Sequence, residues 1–182
     1  MRLPREFYSQ DTVDVAKQLL GKTLVRKIGK HTISGTITET EAYRQSDDPA
    51  SHAYRGMTPR NQAMFGPVGC AYVYFTYGMH HCVNVVARNH KHSAGAVLIR
   101  AIEPKTGIDS MMKNRKIDKI HNLANGPGKL TIALDITKKQ YGEDLVRSSA
   151  LYITDGIVPS KIVSAPRVGI RVGTEKKWNF RI

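Results

Sequence analysis

Residues 70–87 read CAYVYFTYGMHHCVNVVA, and this stretch decides the fold. Its first eight positions, Cys70 to Tyr77, are all β-branched, aromatic or small, the composition of a strand on a pleated, half-buried surface. Gly78 supplies a turn and His81 to Ala87 returns, so the spacing predicts a β-hairpin. Phe75 is expected to serve the buried core of its sheet. Upstream, residues 22–28 and 32–43 read as strands joined at Gly29-Lys30. The second alternates Ile33, Gly35, Ile37, Glu39 and Glu41 on one side with Thr and Ser on the other. Downstream, residues 95–102 form a strand with Arg100 set in an apolar run, and residues 150–154 and 167–172 are late strands. A helix is expected over 11–20, with Asp11 as N-cap, Val15, Ala16, Leu19 and Leu20 as its apolar face, and Gly21 as its stop. Two more are expected over 107–116 and 128–134, the latter opened by Asn125-Gly-Pro-Gly. Residues 47–61 form a loop carrying Asp48-Pro49, Arg55-Gly56 and Thr58-Pro59. Strands and helices do not alternate regularly, which predicts an α+β fold with a mostly antiparallel sheet rather than a doubly wound one.

The chain's 182 residues suit a single domain spanning 1–182. No apolar run approaches the roughly 20 residues of a membrane span. The amino terminus lacks the apolar segment of a secretory signal. Two cysteines cannot build a disulfide framework or a cysteine-rich zinc site, and the expectation is a cytoplasmic protein without a membrane partner. With 28 Lys+Arg against 15 Asp+Glu, the formal charge is +13, which makes nucleic acid the first partner to consider. No block of five like charges occurs between Arg2 and Arg181, so the fold must gather the basic residues. Glu39, Glu41, Asp47 and Asp48 form an acidic island that weakens phosphate binding unless those carboxylates have a task.

Several patterns are weighed for chemistry. Glu41 ends a strand beside a loop, where a general base can be aimed into a cleft; most such glutamates are simply solvated. His80-His81-Cys82 and His90-x-His92 invite a metal, but adjacent strand residues point to opposite faces and no further ligand motif accompanies them, so no metal and no cofactor is expected. Cys70 and Cys82 lie on opposite hairpin arms, out of register for a disulfide. There is no phosphate-binding glycine loop and no Gly-x-Ser-x-Gly elbow. Tyr77 sits at the hairpin tip beside Gly78. An aromatic there resembles the wedges that DNA-bending proteins push between base pairs, and enzymes acting on a base must fill the gap that the flipped base leaves.

Together these residues resemble the alkyladenine (3-methyladenine) DNA glycosylase family. The matching segments are Glu39-Thr-Glu-Ala-Tyr43, Asp48-Pro-Ala-Ser-His52, Thr58-Pro-Arg-Asn61 with Met64-Phe65, and Tyr72-Val-Tyr-Phe-Thr-Tyr-Gly-Met79. Cys82-Val-Asn84, residues 97–104 (VLIRAIEP) and Gly126-Pro-Gly-Lys-Leu130 follow in family order over nearly the whole chain. The resemblance implies one mixed domain around a curved, barrel-like antiparallel sheet flanked by helices, with a protruding hairpin. It also implies a monomeric, monofunctional enzyme that flips alkylated or deaminated purines from double-stranded DNA and cuts the N-glycosidic bond without metal or covalent intermediate. By position, Glu41 resembles the base that activates water and Arg100 the residue that helps hold it. Tyr43, His52 and Tyr74 match residues enclosing the flipped base, and Leu98 lies on the same pocket strand as Arg100. Asn84 is similar to the residue that crowds the 2-amino group of guanine, and Tyr77 matches the side chain that replaces the base in the duplex. The family usually continues several residues past a segment like Trp178-Asn-Phe180, a peripheral tail that this sequence, ending at Ile182, does not show.

A pocket shared by Tyr74 and Asn84 constrains the hairpin. A two-residue turn at Gly78-Met79 sets Tyr74 opposite Val83, whereas a three-residue loop from Gly78 to His80 sets it opposite Asn84, so the odd-length loop is expected. The alternative class is a non-catalytic basic nucleic-acid-binding protein; a His-dependent metallohydrolase is a third reading, distinguished by sensitivity to chelator.

Overall fold

The computed structural model describes residues 1–76 and 78–182. In chain order the elements are α1 (Arg5–Tyr8), α2 (Thr12–Gln18), β1 (Thr23–Ile28), β2 (His31–Arg44), β3 (Ala71–Thr76), β4 (His80–Val86), β5 (Gly95–Thr106), α3 (Ile108–Arg115), α4 (Pro127–Ala133), β6 (Leu151–Thr154), β7 (Val163–Ala165) and β8 (Asn179–Arg181). The fold is α+β, as its sequence indicates: a curled, half-barrel antiparallel sheet with four helices. Its strand order is β3-β4-β5-β2-β1-β6, with β8 pairing the far half of β2 and β7 pairing β8.

Helix α2 begins where its sequence sets it, with the Asp11 carboxylate accepting from the Val13 N–H at 2.9 Å. The helix ends at Gln18, short of the expected Leu20, and the turn after it closes at Gly21, whose φ is +81°. A Cβ there would lie 2.3 Å from the Ile157 carbonyl oxygen, so only glycine fits. Val15 of this helix, with Leu19 and Leu20 of the turn that follows it, joins Met111 of α3 and Leu130 of α4 against Ile37, Val83, Val85, Val97 and Ile99 of the sheet. Each large aliphatic side chain buried there stabilises the fold by about 1.5–3 kcal/mol. The opposite sheet face carries a smaller cluster, where Tyr72, Val86 and Ala96 meet Ala53 and Met64 of the 47–69 loop region.

The alternation expected along β2 is broken, and the break positions the site. Ile37 pairs Ile102, Glu39 pairs Ala101 and Thr40 pairs Ile99, so Thr38 on β2 and Arg100 on β5 each fall out of the ladder. Two such irregularities restore the register while switching the faces of both strands. Before the break, odd-numbered Ile33 and Ile37 face the helices. After it, even-numbered Thr40 and Ala42 do, and the Thr40 hydroxyl donates to the Ala16 carbonyl at 2.7 Å. Glu39 and Glu41 thus do not share a face with Ile33 and Ile37; they turn to the other side.

Three further expectations are corrected. Residues 167–172 are not a strand: Gly169 and Gly173 have φ of +76° and +64°, which a strand cannot pass through, and the late strands are β7 and β8. Phe75 is half exposed against the His81 ring, because its face of the hairpin's outer end extends past the helices. The hairpin register is Thr76↔His80, Tyr74↔Cys82 and Tyr72↔Asn84. Three residues separate the strands, as expected, but one position earlier than Gly78 to His80. Tyr74 therefore opposes Cys82 and meets Asn84 on the same face along the diagonal.

Candidate active site

One row of paired residues crosses five strands: Tyr72 on β3, Asn84 on β4, Leu98 on β5, Glu41 on β2 and Asn179 on β8. Directly paired residues project to the same face, so the sheet itself sets these side chains in line. Tyr43 and Tyr74 lie two residues along their strands and share that face.

Glu41 is wholly buried at the centre of the row. Its Oε1 accepts from the Val168 N–H at 2.7 Å and from Asn179 Nδ2 at 2.9 Å. Its Oε2 accepts from the Tyr43 hydroxyl at 2.8 Å and lies 3.4 Å from Arg100 Nη1. The Arg100 contact is longer than a normal charge-assisted bond, and it leaves Oε2 the less tightly held of the two oxygens. Arg100 also donates from Nε to Glu39 at 2.9 Å. Burial works against its charge, but Glu41 and then Glu39 outweigh burial and raise its pKa. Burial, followed by the Glu41 charge, pushes the Tyr43 hydroxyl well up, so it remains a donor.

Beyond the neighbours that seal Glu41, namely Tyr43, Leu98, Arg100 and Val168, opens a cavity of about 360 Å³, within the range of small-molecule sites; Glu41 itself does not line it. Tyr43, His52, Tyr74, Asn84, Leu98 and Arg100 all line it. Its aromatic walls are braced: the His52 ring stands edge-on to Tyr74 with centroids 4.7 Å apart, and Tyr72 and Tyr74 lie 5.3 Å apart. His52 Nδ1 is 2.9 Å from the Tyr72 hydroxyl. Burial, and then the Arg60 cation, hold the His52 pKa below its ordinary value, favouring the neutral ring at neutral pH. On the floor, Asn84 Nδ2 donates to the Tyr72 carbonyl at 2.9 Å, which fixes its amide. The opposite wall is the 168–172 segment. Tyr77, the expected wedge, lies outside the described residues. Both cysteines are free and buried. Among the described residues, no group of three or more His, Cys, Asp or Glu side chains converges on a possible metal position.

The acidic island has its tasks. Glu39 serves Arg100, Asn179 and Arg181; Asp47 pairs with Arg44 and Lys176; Asp48 is locked to Arg167. Asn179, Arg167 and the Val168 N–H are site groups that sequence reading misses. The first lies in a three-residue strand and the others in a segment read as a strand. Asn61, at the end of the Thr58-Pro-Arg-Asn segment, is also structural to the site. It is buried, and its Nδ2 donates to the carbonyls of His52 at 2.7 Å and Gly56 at 3.0 Å, holding the loop that carries His52.

The curled α+β sheet thus sets a sealed carboxylate behind an aromatic cavity on a chain of charge +13, an arrangement that could serve several chemistries. Comparison with known proteins narrows this. The profile of the methylpurine-DNA glycosylase family matches residues 6–182. Over 182 residues the chain is 50% identical to a Carboxydothermus hydrogenoformans protein named "Putative 3-methyladenine DNA glycosylase", covering 99% of this chain and 94% of that one. Proteins of the same name from Prosthecochloris aestuarii (51% identical, 97% of this chain and 86% of that one) and Methanocella arvoryzae (47% identical, 98% and 90%) also match. The chain belongs to the methylpurine-DNA glycosylase family.

Proposed function

We propose that this chain is a monofunctional purine DNA N-glycosylase that starts base-excision repair, its residues 1–182 acting as a single domain and a monomer in the cytoplasm, at the nucleoid. Its substrates are 3-methyladenine, 7-methylguanine, hypoxanthine and ethenoadenine in double-stranded DNA. The observation that carries the reading is Glu41, a fully buried carboxylate held by four donors directly behind the aromatic cavity.

In this reading a damaged purine is flipped into the cavity and enclosed by Tyr43, His52 and Tyr74, while Tyr77 fills its place in the stack. Glu41 Oε2 removes a proton from a water that Arg100 helps to hold, and that water attacks the sugar C1′. As the glycosidic bond breaks, the sugar gains oxocarbenium character, and the same carboxylate stabilises that charge in a water-poor site. 3-Methyladenine and 7-methylguanine already carry positive charge in the nucleotide and leave without a general acid, whereas a neutral base such as hypoxanthine or ethenoadenine leaves on taking up a proton. Asn84 and Leu98 form the floor, where the fixed Asn84 amide crowds the exocyclic 2-amino group of guanine and so disfavours the undamaged base. The basic surface grips phosphates, so affinity falls steeply with salt.

The test incubates the protein, in EDTA, with duplexes carrying one hypoxanthine or ethenoadenine and with methylated DNA, then develops abasic sites with heat and alkali. Strand breaks at the lesion support the reading. Absence of breaks on every substrate removes the enzyme and leaves a DNA-binding protein.

A further inference from the structure

Asp48 and Arg167 form an ion pair in which neither side chain has any solvent exposure. The pair is bidentate: Nη1 donates to Oδ2 and Nη2 to Oδ1, both at 2.6 Å. Two charges removed from water this completely are a poor source of net stability, since an apolar pair of equal volume often serves as well. What surrounds the guanidinium suggests another use. Its Nη1 also donates to the Ala42 carbonyl at 2.9 Å, the backbone oxygen between Glu41 and Tyr43. Its plane lies over the Tyr43 ring, 4.6 Å from the centroid, and Tyr43 donates to Glu41 Oε2. The next residue, Val168, donates its N–H to Glu41 Oε1 at 2.7 Å. One buried fork therefore reaches the backbone beside the carboxylate, the ring whose hydroxyl holds one carboxylate oxygen, and the residue holding the other.

We propose that the Asp48–Arg167 pair is a positioning device for Glu41: Arg167 fixes the Tyr43 hydroxyl and the Val168 N–H against the two carboxylate oxygens, and Asp48 fixes Arg167. The proposal rests on Glu41 being the group that activates water. Neither Asp48 nor Arg167 touches the substrate, and their effect runs through the angle at which Oε2 meets the attacking water. A misplacement of the order of 1 Å at such a contact costs about 100-fold in rate.

The experiment measures single-turnover cleavage of a hypoxanthine duplex, binding of the same duplex, and thermal melting for the full chain. Three variants are compared with wild type: Arg167→Lys, Asp48→Asn, and the double variant Asp48→Asn with Arg167→Met. Lysine keeps the charge but loses the planar fork, and the double variant replaces the pair with neutral groups of similar size. The expected result is a rate loss of roughly 10- to 100-fold in all three, with duplex binding little changed and the double variant melting near wild type. On a Glu41→Gln background, Arg167→Lys should then cause no further loss, because its effect passes through the carboxylate. Wild-type rate in the folded double variant overturns the proposal. Failure of all three variants to fold also overturns it, because the pair is then a structural tie. Absence of cleavage by wild type refutes the glycosylase reading itself and is seen before any variant is measured.

Discussion

Glu41→Gln separates the fold from the chemistry because the four donors around the carboxylate leave the amide only one tolerable orientation. With its oxygen at the Oε1 position, Gln keeps the bonds from the Val168 N–H and Asn179 Nδ2. Its NH₂ then meets Tyr43, whose hydroxyl can reverse and accept, and Arg100 Nη1, which cannot, at the position now 3.4 Å away. The loss is one hydrogen bond to a charged group, about 1.5–3 kcal/mol. That lowers the melting temperature by roughly 3–12 °C for a chain of this size and leaves the protein folded at assay temperature. The kinetic cost is larger. Removing a general base costs about 10²–10⁴ in rate, and losing the negative charge beside the developing oxocarbenium adds to it, so about 10² is the least expected. The assay is single-turnover cleavage of a hypoxanthine duplex with enzyme in excess, beside binding of the same duplex and a thermal melt. The expected variant binds and melts much as calculated but cuts at least about 100-fold more slowly. A folded variant cutting within tenfold of wild type, or one whose binding falls in step with its rate, refutes the role given to Glu41.

Three further outcomes follow from the same geometry. Asn179→Leu removes the donor bonded to both Glu39 at 2.7 Å and Glu41 at 2.9 Å; it should cost about 1–3 kcal/mol in denaturant unfolding and slow cleavage, and an unchanged rate would show that Asn179 only packs. Tyr77→Ser should weaken lesion-duplex binding by about 1–3 kcal/mol if the ring stacks on bases, and unchanged binding would end the wedge assignment. Asp144 bonds Arg5 at 2.6 Å; burial opposes ionisation, but that bond and the Val146 N–H outweigh it and hold its pKa below the usual carboxylate value. A depressed carboxylate stabilises the fold above its unfolded pKa of about 3.9 and loses that contribution as pH falls through the lower folded value. Asp144→Asn should therefore melt below wild type at pH 7, with the gap closing in acid; a gap independent of pH would remove the ion pair as its cause.

The fold class and most elements were legible because their signals are local: the Asp11 cap, the Gly21 stop, the aromatic and β-branched hairpin arms. Seven expected site residues within the described chain were named through resemblance; six of them, five on strands and His52 on its loop, line one cavity, with Glu41 buried behind it. What escaped depends on distant partners. The face switch at Thr38 and Arg100 is invisible in either strand alone, since each reads as continuous alternation and only their pairing exposes the skipped residues. The 167–172 segment has a strand's composition, but Arg167 is drawn in by Asp48, 119 residues earlier, and the backbone turns at Gly169. Asn179 occupies a strand too short for any pattern to mark. The hairpin gave the right loop length but not its placement, because a shift by one position leaves the composition unchanged.

The paired slips at Thr38 and Arg100 would leave a trace in a mutational scan scored only for folding. Along β2, tolerance to polar substitution should alternate with one phase up to Ile37 and the opposite phase from Thr40 onward. Along β5, the same inversion should fall across Arg100. Deleting Thr38 alone would join Ile37 directly to Glu39 and give β2 one unbroken alternation, with Ile33 and Ile37 still toward the helices and Glu39 and Glu41 still toward the cavity. In the intact sheet the carboxylates are kept out of the helix-covered core by two residues without a partner between β2 and β5, and deletion of Thr38 should be better tolerated than deletion of a paired core residue such as Ile37.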